Sequence, residues 1–237
     1  ATEAAKKQRA LTRFDACLLR SVARDRAFGR VRLLHPEAMY RLFWQFWKGN
    51  LPARRVEQYT SFAALASPNA ADLPPGLPSR YVAVRFYFSN CFPDTQANRA
   101  FVSAVVDSLA ATTDVVLLNT PFTIDDHVDA TVGGHARVHA IGRMPPARNL
   151  AIQTAVIRRA NAFVGTYGGY AYLAPLCGVP SLAFHSNRTF FQHHRDLAEQ
   201  VFADLGTPSL MALDARDADL LRTALQRVAA EPTGAGA

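Results

Sequence analysis

Segments typical of strands and of helices alternate along the chain from residue 80 to residue 230, and this alternation limits the fold more than any other feature. The expected strands are short runs of β-branched, aliphatic and aromatic residues, at 81–88, 114–118, 136–141, 162–164, 181–184 and 210–213. Segments with helical spacing follow them, at 94–109, 149–160, 170–177, 193–205 and 218–230. Because such alternation produces crossovers between parallel strands, the sequence predicts an α/β fold: a doubly wound, Rossmann-like parallel sheet of about six strands.

The chain ahead of this alternation has a different pattern. Helical spacing predicts a basic helix over residues 11–31 and an aromatic helix over residues 36–47, and prolines are frequent in the segment that follows. We therefore expect four parts: a basic, aromatic helical extension (1–66), a Pro-rich linker (67–79), the Rossmann-like domain (80–230) and a flexible tail (231–237).

The net charge of +7 is concentrated in the extension. Residues 1–60 contain thirteen Lys and Arg against five Asp and Glu, a surplus of +8, so the rest of the chain is nearly neutral. We favour the interpretation that the aromatic residues of the extension pack on the sheet domain while its arginines face water. The alternative is peripheral contact with a membrane interface. Single-stranded nucleic acid is a third option, but no nucleic-acid-binding motif is present, so we expect no such partner.

Composition excludes several classes of protein. With 49% hydrophobic residues the chain can bury a sizeable core, which excludes disorder. No apolar run approaches the roughly 18 residues of a membrane-spanning helix. Three cysteines, odd in number and far apart, argue against a disulfide scaffold and a zinc site. No secretory leader opens the sequence, so we expect a cytoplasmic location.

The residues that directly follow the predicted strands are the candidate ligand contacts. In a doubly wound sheet, ligands bind in the crevice beyond the carboxyl ends of the strands. The residues at these positions, in strand order, are Arg85, Asn119, Ile141, Gly142, Arg143, Thr166, Tyr167, Gly168, Gly169 and Ser186. Arg85 carries the strongest argument, because an arginine that ends an apolar strand needs an anionic partner or a route to solvent.

Gly168 and Gly169 follow the fourth strand and open a helix. Adjacent glycines allow a ligand to approach the backbone closely, and a helix start offers unpaired N–H groups and a positive dipole end. The pair therefore predicts an anion site that fits a pyrophosphate. Neither a GxGxxG fingerprint nor a P-loop is present. The alternative is that the two glycines serve only a tight turn.

Residues 163–180, with the sequence FVGTYGGYAYLAPLCGVP, resemble the donor-binding segment of GT-B glycosyltransferases. In that superfamily a strand, a small-residue turn, a short helix and Gly-x-Pro lead into the next strand. The resemblance implies a nucleotide sugar with its diphosphate on the helix that starts at Gly168-Gly169, near Tyr172, and with its base against residues 141–144. Arg85 or Arg143 would then assist the phosphates. Many GT-B enzymes hold the ribose with a glutamate five residues before the Gly of Gly-x-Pro, where this chain has Leu173.

The activity that the resemblance implies is that of a metal-independent glycosyltransferase, or of its donor-binding half. Such an enzyme transfers a sugar from a nucleoside-diphosphate sugar to a glycan or lipid-linked acceptor, here in bacterial surface polysaccharide synthesis. No cofactor is expected beyond the donor itself. The acceptor domain would be separate or missing, because residues 1–79 are too few to form it. Two alternatives stay open: a sugar-nucleotide epimerase of the same architecture, and a non-catalytic nucleotide-binding or scaffolding module.

The sequence gives weaker evidence for catalytic residues than for donor-binding residues. Asp126 and His127, next to Asp125 in a long loop, could act as an acid–base pair or bind a metal, although acidic loop residues are more often solvated. His185 ends the fifth strand, where its imidazole could donate to a leaving diphosphate or serve a structural role. No Asp-x-Asp motif follows a strand, so we expect no metal.

Overall fold

A computed structural model describes residues 13–26, 50, 52, 55, 61–65, 73–118, 128–132, 134–142, 144–145, 148–187, 192–217 and 223. The strands are β1 (Tyr81–Arg85), β2 (Tyr87–Phe88), β3 (Asp114–Leu117), β4 (Val128–Asp129), β5 (Val138–Ala140), β6 (Ala162–Thr166), β7 (Ser181–His185) and β8 (Leu210–Asp214). The helices are α1 (Arg13–Asp25), α2 (Gln96–Ala110), α3 (Asn149–Arg159), α4 (Gly169–Leu176) and α5 (Gln192–Leu205).

Six of these strands form one parallel sheet in the order β5-β3-β1-β6-β7-β8. The predicted Rossmann-like α/β fold is therefore confirmed, with each of the six expected strands in the sheet. Successive strands are added to one side of β1 and then, from β6 onward, to the other side. The order thus reverses between β1 and β6, which is the position where doubly wound sheets bind their ligands.

Helices cover both faces of the sheet, which buries strands with nearly continuous apolar sequences. On one face α2 packs through Val105 and Leu109. On the other face α3, α4 and α5 contribute Ile157, Ala174 and Phe202. The two apolar clusters pack on opposite faces of the sheet, and the residues at its carboxyl edge extend from this packed core.

Local signals in the sequence set two of the helix ends. The hydroxyl of Thr95 accepts a hydrogen bond from the Asn98 amide at 3.1 Å and so caps the start of α2. At the end of α4, the amides of Gly178 and Val179 donate to the carbonyls of Pro175 and Ala174, at 2.9 and 3.0 Å. These bonds form a Schellman motif, and Gly178 has the positive φ of 80° that this motif requires. Helix α4 therefore ends within one residue of the end predicted for the helical segment 170–177.

The prediction of one strand over residues 81–88 is wrong. The strand ends at Arg85, and Tyr87–Phe88 form β2, which pairs antiparallel with β4 in a separate two-stranded sheet. The physical reason is a change of hydrogen-bonding partner. The Val84 carbonyl still accepts from Leu118 of the main sheet, whereas the Phe86 carbonyl accepts from Ala130 beside β4.

The chain divides into two compact units, Ala1–Ser61 and Phe62–Ala237, and the second contains the whole sheet. Within the second unit the Leu65 amide donates to the Leu176 carbonyl at 2.8 Å. In the first unit α1 lies inside the predicted helix 11–31, whereas the predicted helix 36–47 lies outside the described residues. The predicted helix 218–230 also lies outside them, apart from Thr223. No helix in the described parts of the chain is long and apolar enough to cross a bilayer.

Candidate functional site

The candidate site lies at the switch point, where the carboxyl ends of β1 and β6 are adjacent and Arg85 pairs with Gly165. The two backbones approach closely here. A Cβ at Gly165 would overlap the carbonyl oxygen of Arg85 and lie 2.9 Å from its carbonyl carbon. Only glycine therefore allows the two strands to meet at this point. The sequence interpretation concentrated on Gly168 and Gly169 and did not identify this requirement.

Helix α4 starts directly beyond the end of β6. Gly168 stands at its N-cap and has no side chain to bond the free amides, and its first turn contains no acidic residue. The amides of Gly169, Tyr170 and Ala171 therefore have no acceptor within the helix. A Cβ at Gly169 would meet no atom of the described residues within 4 Å. Among the described residues, the start of α4 thus combines amides that are unpaired within the helix, a positive dipole end and open space, as an anion site requires.

Thr166 and Tyr87 fix the backbone on either side of the switch point. The Thr166 side chain is fully buried. Its hydroxyl accepts from the Tyr87 amide at 3.0 Å and donates to the Tyr87 carbonyl at 2.8 Å. The Tyr87 phenol lies above Gly168, where a Cβ would overlap its hydroxyl. The predicted contact residue Thr166 thus uses its hydroxyl within the chain, and it holds β2 over the end of β6.

Arg85 is buried at the centre of the site, with 5% of its surface exposed. Its Nε and Nη2 donate to Oδ1 of Asp129 at 3.3 and 3.2 Å, and its Nη1 donates to Oε1 of Gln153 at 3.1 Å. Its Cζ lies 4.4 Å from the centre of the Tyr170 ring. Of the two alternatives that the sequence left for Arg85, an anionic partner or a route to solvent, the structure shows the first, and the partner is Asp129 of the chain itself. Contact between Arg85 and a bound phosphate stays a prediction.

Tyr167 and Tyr172 form a phenol pair beside the start of α4. Their hydroxyl groups are hydrogen-bonded to each other, and their rings meet edge to face with centroids 5.5 Å apart. Burial raises the pKa of both phenols, so both are neutral at physiological pH, and one hydroxyl donates to the other. The backbone carbonyl of Tyr167 lies 3.4 Å from the Tyr87 hydroxyl, which donates to it. The predicted contacts Tyr167 and Tyr172 therefore stand together at this helix start.

His185 and Ser186 follow β7, the neighbour of β6. The His185 ring meets Tyr167 nearly at right angles, with centroids 6.4 Å apart. Burial lowers the pKa of His185 despite the nearby Asp214, so the imidazole is neutral at pH 7. The Ser186 hydroxyl accepts from Nδ2 of Asn98 at 2.8 Å. His185 thus borders the phenol pair, whereas Ser186 contacts the start of α2.

The predicted contacts that follow β5 lie at one end of the strand order, away from the start of α4. Ile141 and Met144 are buried in the apolar cluster, whereas Gly142 is exposed. They follow β5, which is separated from β6 by β3 and β1 and so lies roughly 14 Å away at the usual strand spacing. A single ligand must therefore be extended to reach both Gly142 and the start of α4.

The remaining candidates fall outside the described residues: Asn119, Asp125, Asp126, His127 and Arg143. Within the described ranges, no three His, Cys, Asp or Glu side chains come together as metal ligands would. The expectation that no metal takes part therefore stays a prediction.

Sequence reasoning did not identify Asp129, Gln153 or Tyr87 as residues of the site. A signal existed for Asp129, because Arg85 at the end of an apolar strand needed an anionic partner or a route to solvent and Asp129 lies in the segment between β3 and β5. Several other acidic residues could equally have been predicted as the partner of Arg85. No signal marked Gln153, which is fully buried on α3 and bonds Asn149 one turn away at 2.8 Å.

Comparison with solved structures finds partial similarity to glycosyltransferases. A structure described as the glycotransferase of kitacinnamycin matches with a TM-score of 0.41 and 18% sequence identity, over 70% of this chain and 40% of that one. The glycosyltransferase SnogD from Streptomyces nogalater matches with a TM-score of 0.35 and 19% identity, over 72% and 43%. The matched region thus spans less than half of either enzyme. No protein-family model and no curated protein sequence matches the chain.

Proposed function

We propose that residues 62–237 form the nucleotide-sugar donor-binding half of a GT-B-type glycosyltransferase. The observation that carries the proposal is the start of α4: amides that the helix itself leaves without an acceptor, a first turn without acids, and, among the described residues, open space at the switch point of the sheet. A diphosphate matches these properties because its oxygens accept hydrogen bonds and its charge is favoured by the helix dipole.

In the proposed reaction the sugar leaves its nucleoside diphosphate and joins a glycan or lipid-linked acceptor. Negative charge develops on the leaving diphosphate, and donors that are already in place at α4 stabilise it without reorganisation. The phenol pair of Tyr167 and Tyr172 lies beside the same helix start, with one of its two hydroxyl protons used in the bond between the rings. The acceptor domain would be supplied by a separate polypeptide or by residues outside this sequence. We propose that the reaction belongs to the synthesis of bacterial surface polysaccharide.

The test is calorimetric titration of the intact chain with UDP, GDP and CMP. Saturable binding of at least one nucleotide supports the proposal, and no detectable binding at millimolar concentration refutes it. Incubation with nucleotide sugars and no acceptor distinguishes the epimerase, which would release an isomeric nucleotide sugar.

A non-catalytic nucleotide-binding module is the second candidate. One observation favours it: Leu173 stands where GT-B enzymes carry the ribose-binding glutamate, and its side chain packs against the apolar core. Nucleotide binding without turnover, in the presence of candidate acceptors and the full-length gene product, would support this module over the enzyme.

A further inference from the structure

We propose that Arg85 is a positioning residue, held by Asp129 and Gln153 so that it anchors Tyr170 and with it the first turn of α4. It does not contact the bound anion. The position of the anion at α4 rests on the proposed function. The role of Arg85 in holding α4 rests only on contacts within the chain.

The guanidinium of Arg85 is fixed from two directions. Asp129 of β4 accepts from Nε and Nη2, and Gln153 of α3 accepts from Nη1. Both side chains of the ion pair are largely buried, with 6% and 16% exposed. Gln153 is itself held by Asn149, to which its Nε2 donates at 2.8 Å. An arginine fork engaged on both sides in this way has one favoured orientation.

This fixed cation lies against the face of Tyr170, the second residue of α4. A guanidinium over a phenol ring at such a distance is attracted to the ring, most strongly when both are shielded from water. The contact matters because α4 has only eight residues, includes Pro175, and lacks a side-chain cap at Gly168. So short a helix is marginal by itself and depends on tertiary contacts. Tyr170 on Arg85 supplies such a contact in the turn whose amides face the anion.

Asp129 also argues against a direct phosphate contact. An anion placed on Arg85 would share the guanidinium with a carboxylate already bonded to it, and the two negative charges would repel each other. The first turn of α4, in contrast, contains no acidic residue of its own. We therefore infer that the amides of α4 attract the anion, and that Arg85 holds α4 in the orientation that this requires.

Two substitutions distinguish positioning from direct contact. Arg85→Lys keeps the charge but cannot contact Asp129 and Gln153 together, and Arg85→Gln removes the charge. If Arg85 positions α4, both variants weaken UDP binding by a similar factor, about tenfold. If Lys retains the affinity that Gln loses, the charge itself contacts the phosphate and the proposal is wrong. Arg99→Lys is the matched control, because Arg99 is exposed, pairs with Asp94 and lies over Phe88.

A second measurement needs no ligand. Amide hydrogen exchange of the peptide over residues 167–178 should accelerate by about fivefold or more in both Arg85 variants, while α2 exchanges as in the wild type. Unchanged exchange in α4 would overturn the positioning role. If no nucleotide binds the wild type, the proposed function fails while this measurement still decides the role of Arg85.

Asp129→Asn covers the case in which the Arg85 variants fold poorly, because it keeps the shape of the carboxylate. We expect faster exchange in α4 and no gain in UDP affinity. A tightening of about tenfold or more would mean that Asp129 had been withholding Arg85 from the phosphate, and would refute the inference.

Discussion

Replacing Gly169 with aspartate places a carboxylate at the first position of α4, in space that the described residues leave open to at least 4 Å. The fold should tolerate this change. An acid in the first turn interacts favourably with the helix dipole, and we expect the free energy of unfolding to rise by about 0.5 kcal/mol. The same carboxylate occupies the region proposed for the phosphates, so stability and binding should change in opposite directions.

The loss of affinity follows from Coulomb's law. A carboxylate about 5 Å from a phosphate, at an effective dielectric constant of about 40, costs about 1.7 kcal/mol for each unit of phosphate charge. That energy weakens nucleotide binding by roughly 15- to 20-fold per unit charge. Because the site is open to water, the effect should shrink as ionic strength rises.

Gly169→Asn is the matched control, with nearly the same shape and no charge. Calorimetric titration with UDP at low and high salt, beside urea unfolding of each variant, measures both quantities. Equal UDP affinity in the Asp and Asn variants at low salt would show that the anion does not bind at α4. Unfolding of the Asp variant under native conditions would show that Gly169 has a structural role instead.

Three further predictions concern the scaffold of the site. Gly165→Ala should lower the free energy of unfolding by about 3 kcal/mol, because its Cβ overlaps backbone, whereas Gly169→Ala should leave it nearly unchanged in urea unfolding. Thr166→Val removes the hydroxyl that bonds both the buried amide and the carbonyl of Tyr87 and should cost about 2–4 kcal/mol, against about 1 kcal/mol for Thr166→Ser. The lowered pKa of His185 means that the folded state binds fewer protons than the unfolded state below pH 6.5. Stability should therefore fall as the pH decreases from 6.5, less steeply in His185→Gln; equal slopes would show that the folded imidazole titrates normally.

The parts of this structure that were predictable depend on neighbours along the chain. Strand and helix periodicity and the end of the helical segment 170–177 each involve residues within a few positions of one another. Parallel strands follow from the alternation because a crossover helix returns the chain in the same direction. The carboxyl-edge placement of Gly168 and Gly169 is a consequence of the same pattern, so the candidate site could be located before the structure was known.

What the sequence alone determined is therefore the fold class and the six strands of the sheet, and from them it predicted the edge that carries the candidate site. Only the tertiary structure decided how that edge is built. Arg85 meets Asp129 and Gln153, which are 44 and 68 residues away along the chain, and the Thr166 hydroxyl meets Tyr87, 79 residues away. The physical reason is that the order of the strands in the sheet brings these groups together. That order depends on how the whole sheet is buried between its helices. Each charged group, hydroxyl group and backbone group then pairs with a partner that is close in space. The order of residues along the chain does not show which distant residues become close.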